Sequence, residues 1–329
     1  MNIAPQLIFN VGILFVMMLP GFIMKKCNLA TDGLGKGLSN LVLYIAQPAL
    51  VFLAYVRPYD SAVLIDCLYV LAFSVVAHVI FSAVAMISYK KAPDATRRML
   101  RFATIFSNAA FMGIPLISAV LGDEATIYAS IYNITFNLFL WSLGVHICTG
   151  NRDYDGDNVI DKDIEKKHKS EASITRALIH PVTIAAGLGL IFFFLPIHTY
   201  IPKFAMNCLE MVKALVAPLS MVVLGLRLAE VDLRGFFKDK NLYIFLLLRH
   251  FALPAVVFAI MRVIMLMGVS LSSGVILSVL IMACAPAATS ATMFAEKYDC
   301  DAAYVSKLVV TSTLLSLLSM PLVSLLALI

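Results

Sequence analysis

Residues 106–116 read Phe-Ser-Asn-Ala-Ala-Phe-Met-Gly-Ile-Pro-Leu, and residues 284–292 read Cys-Ala-Pro-Ala-Ala-Thr-Ser-Ala-Thr. Each is a proline-bearing, partly polar interruption of an apolar block. Proline inside a helix removes one backbone donor, and its ring clashes with the preceding turn. In hydrocarbon the freed carbonyls need neighbouring helices, side chains or a watery cavity. Two such interruptions at matching places predict an all-α polytopic membrane protein whose two broken helices meet at a substrate site.

The surrounding composition agrees. The chain has 329 residues, 61% hydrophobic and 14% charged, against about 25% charged in a soluble domain. The apolar residues fall in blocks near the ~20 residues needed to cross a bilayer. We read ten stretches: 5–24, 36–56, 63–89, 99–121, 125–148, 174–195, 205–229, 241–266, 272–294 and 302–327. The loops after the odd-numbered stretches, with their flanks, hold 19 of the 25 Lys and Arg; the opposite loops hold only Arg57, Lys203 and Arg262. Cytoplasmic loops carry the basic excess, so both termini are predicted outside an inner (plasma) membrane. The first stretch has no basic residue before it and Lys25-Lys26 after it, the reverse of a signal peptide, and is expected to be retained.

Asn151 to Glu171 is the only long polar stretch and reads as a cytoplasmic linker. It mimics a calcium loop through Asn151, Asp153, Asp155 and Gly156, but Lys162 stands where the bidentate Glu belongs, so calcium is not expected. The linker (151–172) divides the chain into 1–150 and 173–329, five stretches each. An odd number per half makes the second half start from the other side, as in an inverted repeat. Gln47-Pro48 and Ala217-Pro218 echo one another in the second and seventh stretches, as do the two interruptions in the fourth and ninth.

Around the fourth-stretch break lie Ser107, Asn108, Gly113, Ile114 and Pro115; around the ninth lie Pro286, Ala287, Thr289, Ser290 and Thr292. Their polar groups and free amides at helix ends would suit an anion. Gln47 is a further candidate. Ionisable residues inside spans are the other pointers. Asp66, Arg249 and His250 are candidates for coupling or support, and Arg249 should face a cavity or a carboxylate. His78 reads as hydrogen-bonded. Glu210 and Lys213 should pair locally, and Lys307 should snorkel or meet Asp299 or Asp301. Six scattered cysteines without a Cys-x-x-Cys signal neither zinc nor redox chemistry. No Walker, GxSxG, HExxH or GxGxxG motif is present. An enzyme, a cofactor, a metal and a nucleic-acid partner are therefore not expected.

Phe106 to Leu116 followed by Gly122 resembles the Asn-x-x-x-Met-Gly-Ile-Pro-Leu…Gly crossover of the auxin efflux carrier family. Ala285 to Thr289, Phe294 to Tyr298 and Thr311-Ser312-Thr313 resemble the second crossover and last helix of its bacterial members. The resemblance covers nearly the whole chain. It implies an elevator-type permease or efflux carrier. The first, second, sixth and seventh helices would form a scaffold, through which a homodimer could form; the third to fifth and eighth to tenth would form a transport domain. It also implies a small organic anion as substrate, such as a mono- or dicarboxylate, with Asn108 contacting the carboxylate and Pro115 and Pro286 shaping the crossing. Coupling to H+ or Na+ stays open. In plant members an Asp like Asp66 is followed four residues later by Lys, whereas here position 70 is Val70, so auxin specificity does not transfer simply. Two other functions fit the architecture: a sodium-coupled organic anion symporter of bile-acid-transporter type, and a non-transporting ligand sensor. Sodium-dependent uptake would mark the first, and binding without flux the second.

Overall fold

The computed structural model describes residues 3–31, 33–149, 178–195, 200–232, 234 and 236–325; the 151–172 linker with its calcium-loop mimic lies outside them. Among the described residues the regular elements are all helices, and no named strand is present. Seven helices among the described residues are long and apolar enough to cross a membrane. They are α1 (Ile8–Lys26), α2 (Leu34–Tyr55), α3 (Ser61–Ile87), α6 (Asp123–Thr149), α8 (Lys203–Glu230), α9 (Lys240–Leu266) and α12, which continues to Leu325 from Ala302. Shorter ones among the described residues are α4 (Asp94–Ile105), α5 (Ala109–Leu121), α7 (Pro181–Phe194), α10 (Ser273–Cys284) and α11 (Ser290–Lys297). The fourth and ninth predicted stretches are thus each two helices, α4–α5 and α10–α11.

Proline placement explains much of the local geometry. Three π turns, Val42–Ala46, Ala109–Gly113 and Leu248–Ala252, are each followed by one residue and then Pro48, Pro115 or Pro254. A proline cannot donate to the preceding turn and crowds its carbonyl. Widening that turn by one residue accommodates the ring without ending the helix. Pro115 therefore sits inside α5, and the helix break lies upstream at Phe106–Asn108.

Two breaks run side by side in antiparallel sense. Ser107 pairs with Ala287. Asn108 N donates to the Pro286 carbonyl at 2.6 Å, and Ala288 N donates to the Phe106 carbonyl at 2.9 Å. Backbone groups released by breaking two helices thus satisfy each other. Ser312 of α12 supports the crossing by accepting from Ala287 N at 3.0 Å.

Two groups of helices pack internally and also touch each other. In one, α1 lies on α8, and α2 on α7 and α8. The α1–α8 contact is backbone on backbone: a methyl at Gly21 would fall on the Val222 carbonyl, and one at Gly225 on the Met18 carbonyl. Small residues permit such close approach between apolar helices. In the other group α3 packs on α6, and α10 on α3, α6 and α12. Large apolar side chains such as Ile65, Leu68, Val79, Leu247 and Leu318 face outward, as lipid contact requires.

Interactions also define two ends. At one, Arg98 donates to the Cys148 carbonyl, Thr96 to Asp301, and Lys25 pairs with Glu230 at 3.2 Å. This basic end carries the flanks of the odd-numbered loops. At the opposite end Lys213 of α8 pairs with Glu210, as its spacing predicts, and also with Asp123 at the start of α6 at 2.8 Å. Arg57 after α2 meets Glu124 at 3.7 Å. These ion pairs join the two groups there.

Candidate functional site

A cavity of about 240 Å3 lies beside the crossing, between the two groups. Ser107 and Asn108 from the first break, Thr289 and Ser290 from the second, and Gln47 from α2 line it. Asn108 occupies the position before α5, yet its side chain makes no capping bond. Its Nδ2 is buried with no partner in the protein, as are Ser107 Oγ, Gln47 Oε1 and Asn137 Nδ2. Buried polar atoms without partners are uncommon. Here four belong to residues that line one cavity.

The other candidates stand elsewhere. Gly113, Ile114, Pro115, Pro286 and Ala287 do not line the cavity; they build the crossing. A methyl at Gly113 would fall on the Met282 sulfur of α10, so glycine lets the halves approach. Pro115 has a consequence one turn back. Ile114 N donates to the Ala109 carbonyl across the π turn, and the next donor in that ladder would be the N–H that proline lacks. Gln47 Nε2 donates to the Ala110 carbonyl instead. Replacing Gln47 by Leu should leave that carbonyl unsatisfied and lower stability by about 2 kcal/mol, the cost of an orphaned buried acceptor. Thermal melting of the purified variant checks this, and an unchanged melt would refute the substitution of Gln47 for the missing donor.

Asp66 lies away from the cavity, at the Arg57 end. Its Oδ2 accepts from Tyr128 Oη at 3.0 Å and Ser272 Oγ at 2.7 Å, which ties α3 to α6 and to the start of α10. His250 Nδ1 lies 2.8 Å from Ser319 Oγ, and His78 Nδ1 2.7 Å from the Ser74 carbonyl. Lys307 sits over the Phe236 ring at 5.8 Å. Arg249 is fully buried and bonds carbonyls rather than a carboxylate: Ala285 O through Nε at 3.0 Å and Nη2 at 2.8 Å, and Thr104 O through Nη1 at 3.1 Å.

Several cavity residues escaped the sequence reading. Asn133 and Asn137 of α6 both line the cavity. Their spacing of one turn in an apolar helix was a usable signal. Tyr44, Phe136, Trp141 and Phe294 form apolar walls, while His180 and Arg227 add polar edges. Trp141 and Phe294 pack at 5.6 Å between centroids. No periodicity distinguishes these aromatics from those that only fill the core.

The cavity has a neighbour. A second one of about 390 Å3 at the basic end is lined by Glu230, Asp232, Thr292, Glu296 and Lys307, and it shares Arg227 and Thr289 with the first. A third, about 180 Å3, holds the charged cluster of Arg57, Asp123, Glu124, Glu210 and Lys213 at the opposite end and shares no residue with the central one.

A family model described as membrane transport protein matches residues 7–324, nearly the whole chain. The chain belongs to the auxin efflux carrier family. It is similar to an uncharacterized transporter of Methanothermobacter thermautotrophicus, 26% identical over 312 residues that cover 93% of this chain and 94% of the relative. It is also similar to an uncharacterized transporter of Methanocaldococcus jannaschii, 25% identical over 317 residues with the same coverage. This family membership, with several apolar helices, makes the chain a multi-pass membrane transporter. The residues that carried the resemblance, Phe106 to Leu116 and Ala285 to Thr289, form the two sides of the crossing.

Proposed function

We propose that the chain is a secondary active carrier of small organic anions, the carboxylate being held at the crossing. The observation that carries this reading is the pair of unpartnered amide donors, Nδ2 of Asn108 and Asn137, on one cavity. Two amide side chains on one cavity can supply N–H donors to a carboxylate, and hydrogen bonds to a charged acceptor are stronger than neutral ones. Asn108 orients the carboxylate, and the first amides of α5 and α11 add the positive ends of two helices. Aromatic walls accept the apolar body of the anion.

The cavity is shared between the groups: Gln47, Val223 and Arg227 come from one, and Asn108, Asn137 and Thr289 from the other. A site split in this way suits an elevator in which α3–α6 with α9–α12 slide against a scaffold of α1, α2, α7 and α8. In this reading 1–150 and 173–329 are inverted repeats, both termini lie outside the inner membrane, and the basic end faces the cytoplasm. The adjoining basic-end cavity and the ion-paired opposite end correspond to a state open to the cytoplasm.

The test is a thermal-shift screen of purified protein against mono- and dicarboxylates, followed by flux of the best binder in proteoliposomes. We expect a carboxylate to raise the melting temperature and be transported, and its neutral amide to do neither. Equal stabilisation by the amide would remove the anion assignment. Binding without flux would make the protein a sensor, and flux that requires sodium would make it a sodium symporter.

A further inference from the structure

Arg249 is the only Asp, Glu, Lys or Arg that is buried among the described residues. Its guanidinium takes no carboxylate; all three of its hydrogen bonds go to the Thr104 and Ala285 carbonyls, with the Phe81 ring 5.4 Å away. Thr104 is in the last turn of α4, and Ala285 caps the end of α10. Both are C-terminal ends, each carrying roughly half a negative charge. One guanidinium matches the pair. The partner helices α5 and α11 begin after Asn108 and Thr289, both on the cavity. Asn108 follows Thr104 by four positions, as Thr289 follows Ala285, at most about 14 Å when extended. With the C-terminal ends offset by Arg249, the N-terminal ends at the cavity stay uncompensated, and the crossing as a whole keeps one positive charge.

We propose that Arg249 is the fixed counter-charge of the substrate: the empty crossing unit carries one positive charge through the membrane interior, and a bound monoanion neutralises it. This rests on the carrier reading above, because it needs α3–α6 and α9–α12 to move. An intramembrane charge is expensive and functional by default. A carboxylate of the protein's own would lower that cost but would also repel the anion. A dianion, by contrast, would leave the loaded unit negative. Arg249 is thus a positioning residue for the two half-helices and sets the charge that moves.

Transient currents after voltage steps, recorded on full-length protein in liposome membranes without any ligand, test the proposal. Recording at pH 8 keeps histidines near their ordinary neutral state. Wild type and Arg249→Lys should show a capacitive charge movement that a saturating monocarboxylate suppresses. Arg249→Gln should lose it. Where that variant fails to fold, Phe81→Glu decides, because it places a carboxylate beside Arg249 while leaving the carbonyl bonds in place; it too should lose the movement. Charge movement unchanged in folded Arg249→Gln or in Phe81→Glu overturns the proposal. Carboxylate flux in a wild type that shows no ligand-free charge movement also overturns it and leaves the carrier reading standing. Charge movement that follows Arg249 without flux of any carboxylate supports the charge assignment and removes the carrier reading.

Discussion

Replacing Asn108 by alanine should weaken carboxylate binding and lower flux by roughly 10- to 100-fold, because one hydrogen bond to a charged acceptor contributes about 1.5–3 kcal/mol. The folded state should hardly notice. Asn108 Nδ2 bonds nothing in the protein, and the crossing is held by the backbone of this residue, through Asn108 N to the Pro286 carbonyl. The variant should therefore melt close to wild type while losing substrate, a combination that separates binding from structure. Asn108→Asp should lose more, since it exchanges two donors for a charged acceptor facing an anion. Binding assays and proteoliposome flux, each with a melt, decide the matter. Wild-type affinity and flux in a stable Asn108→Ala would take this residue out of the site.

Gly225→Ala should cost about 3 kcal/mol, the upper end of overpacking penalties, and appear as lost folded yield and a lower melting temperature. The methyl would land on the Met18 carbonyl, and backbone cannot rotate aside as a side chain can. α1 and α8 would have to separate along their whole contact. Gly21→Ala should act alike from the facing helix, through Val222. Gly187→Ala is the matched comparison: a methyl there meets nothing within 4 Å, and the gain in helix propensity should leave stability equal or slightly higher. If Gly225→Ala and Gly187→Ala melt alike, the close approach of α1 to α8 is wrong.

Particular residues show how far the sequence could be read. Interruptions at 106–116 and 284–292 located the crossing, because a proline or a polar run in an apolar block has few purposes. The spacing of Glu210 and Lys213 predicted their pair, since neighbours on one helix face are set by helix geometry alone. The same logic stops at contacts between distant segments. Asp123 as a second partner of Lys213, Asp66 beneath Tyr128 and Ser272, and Ser312 under the Ala287 amide join residues far apart in sequence. Pro115 illustrates the division: its presence announced a disturbed helix, but the π turn absorbed it and moved the break to Phe106–Asn108.

By itself the sequence determined the solvent, the helical class, the family and the place of the helix crossing. Each depends on composition or on short-range pattern, and hydrocarbon leaves a backbone few alternatives. Only the tertiary structure decided which residues share the cavity. It placed Asn137 and Asn108 on one cavity and left Ile114 and Pro286 outside its lining. It assigned Gln47 to the carbonyl stranded by Pro115, and gave Arg249 two helix ends in place of a carboxylate. Those outcomes depend on how the broken helices approach each other, and no local pattern encodes that distance.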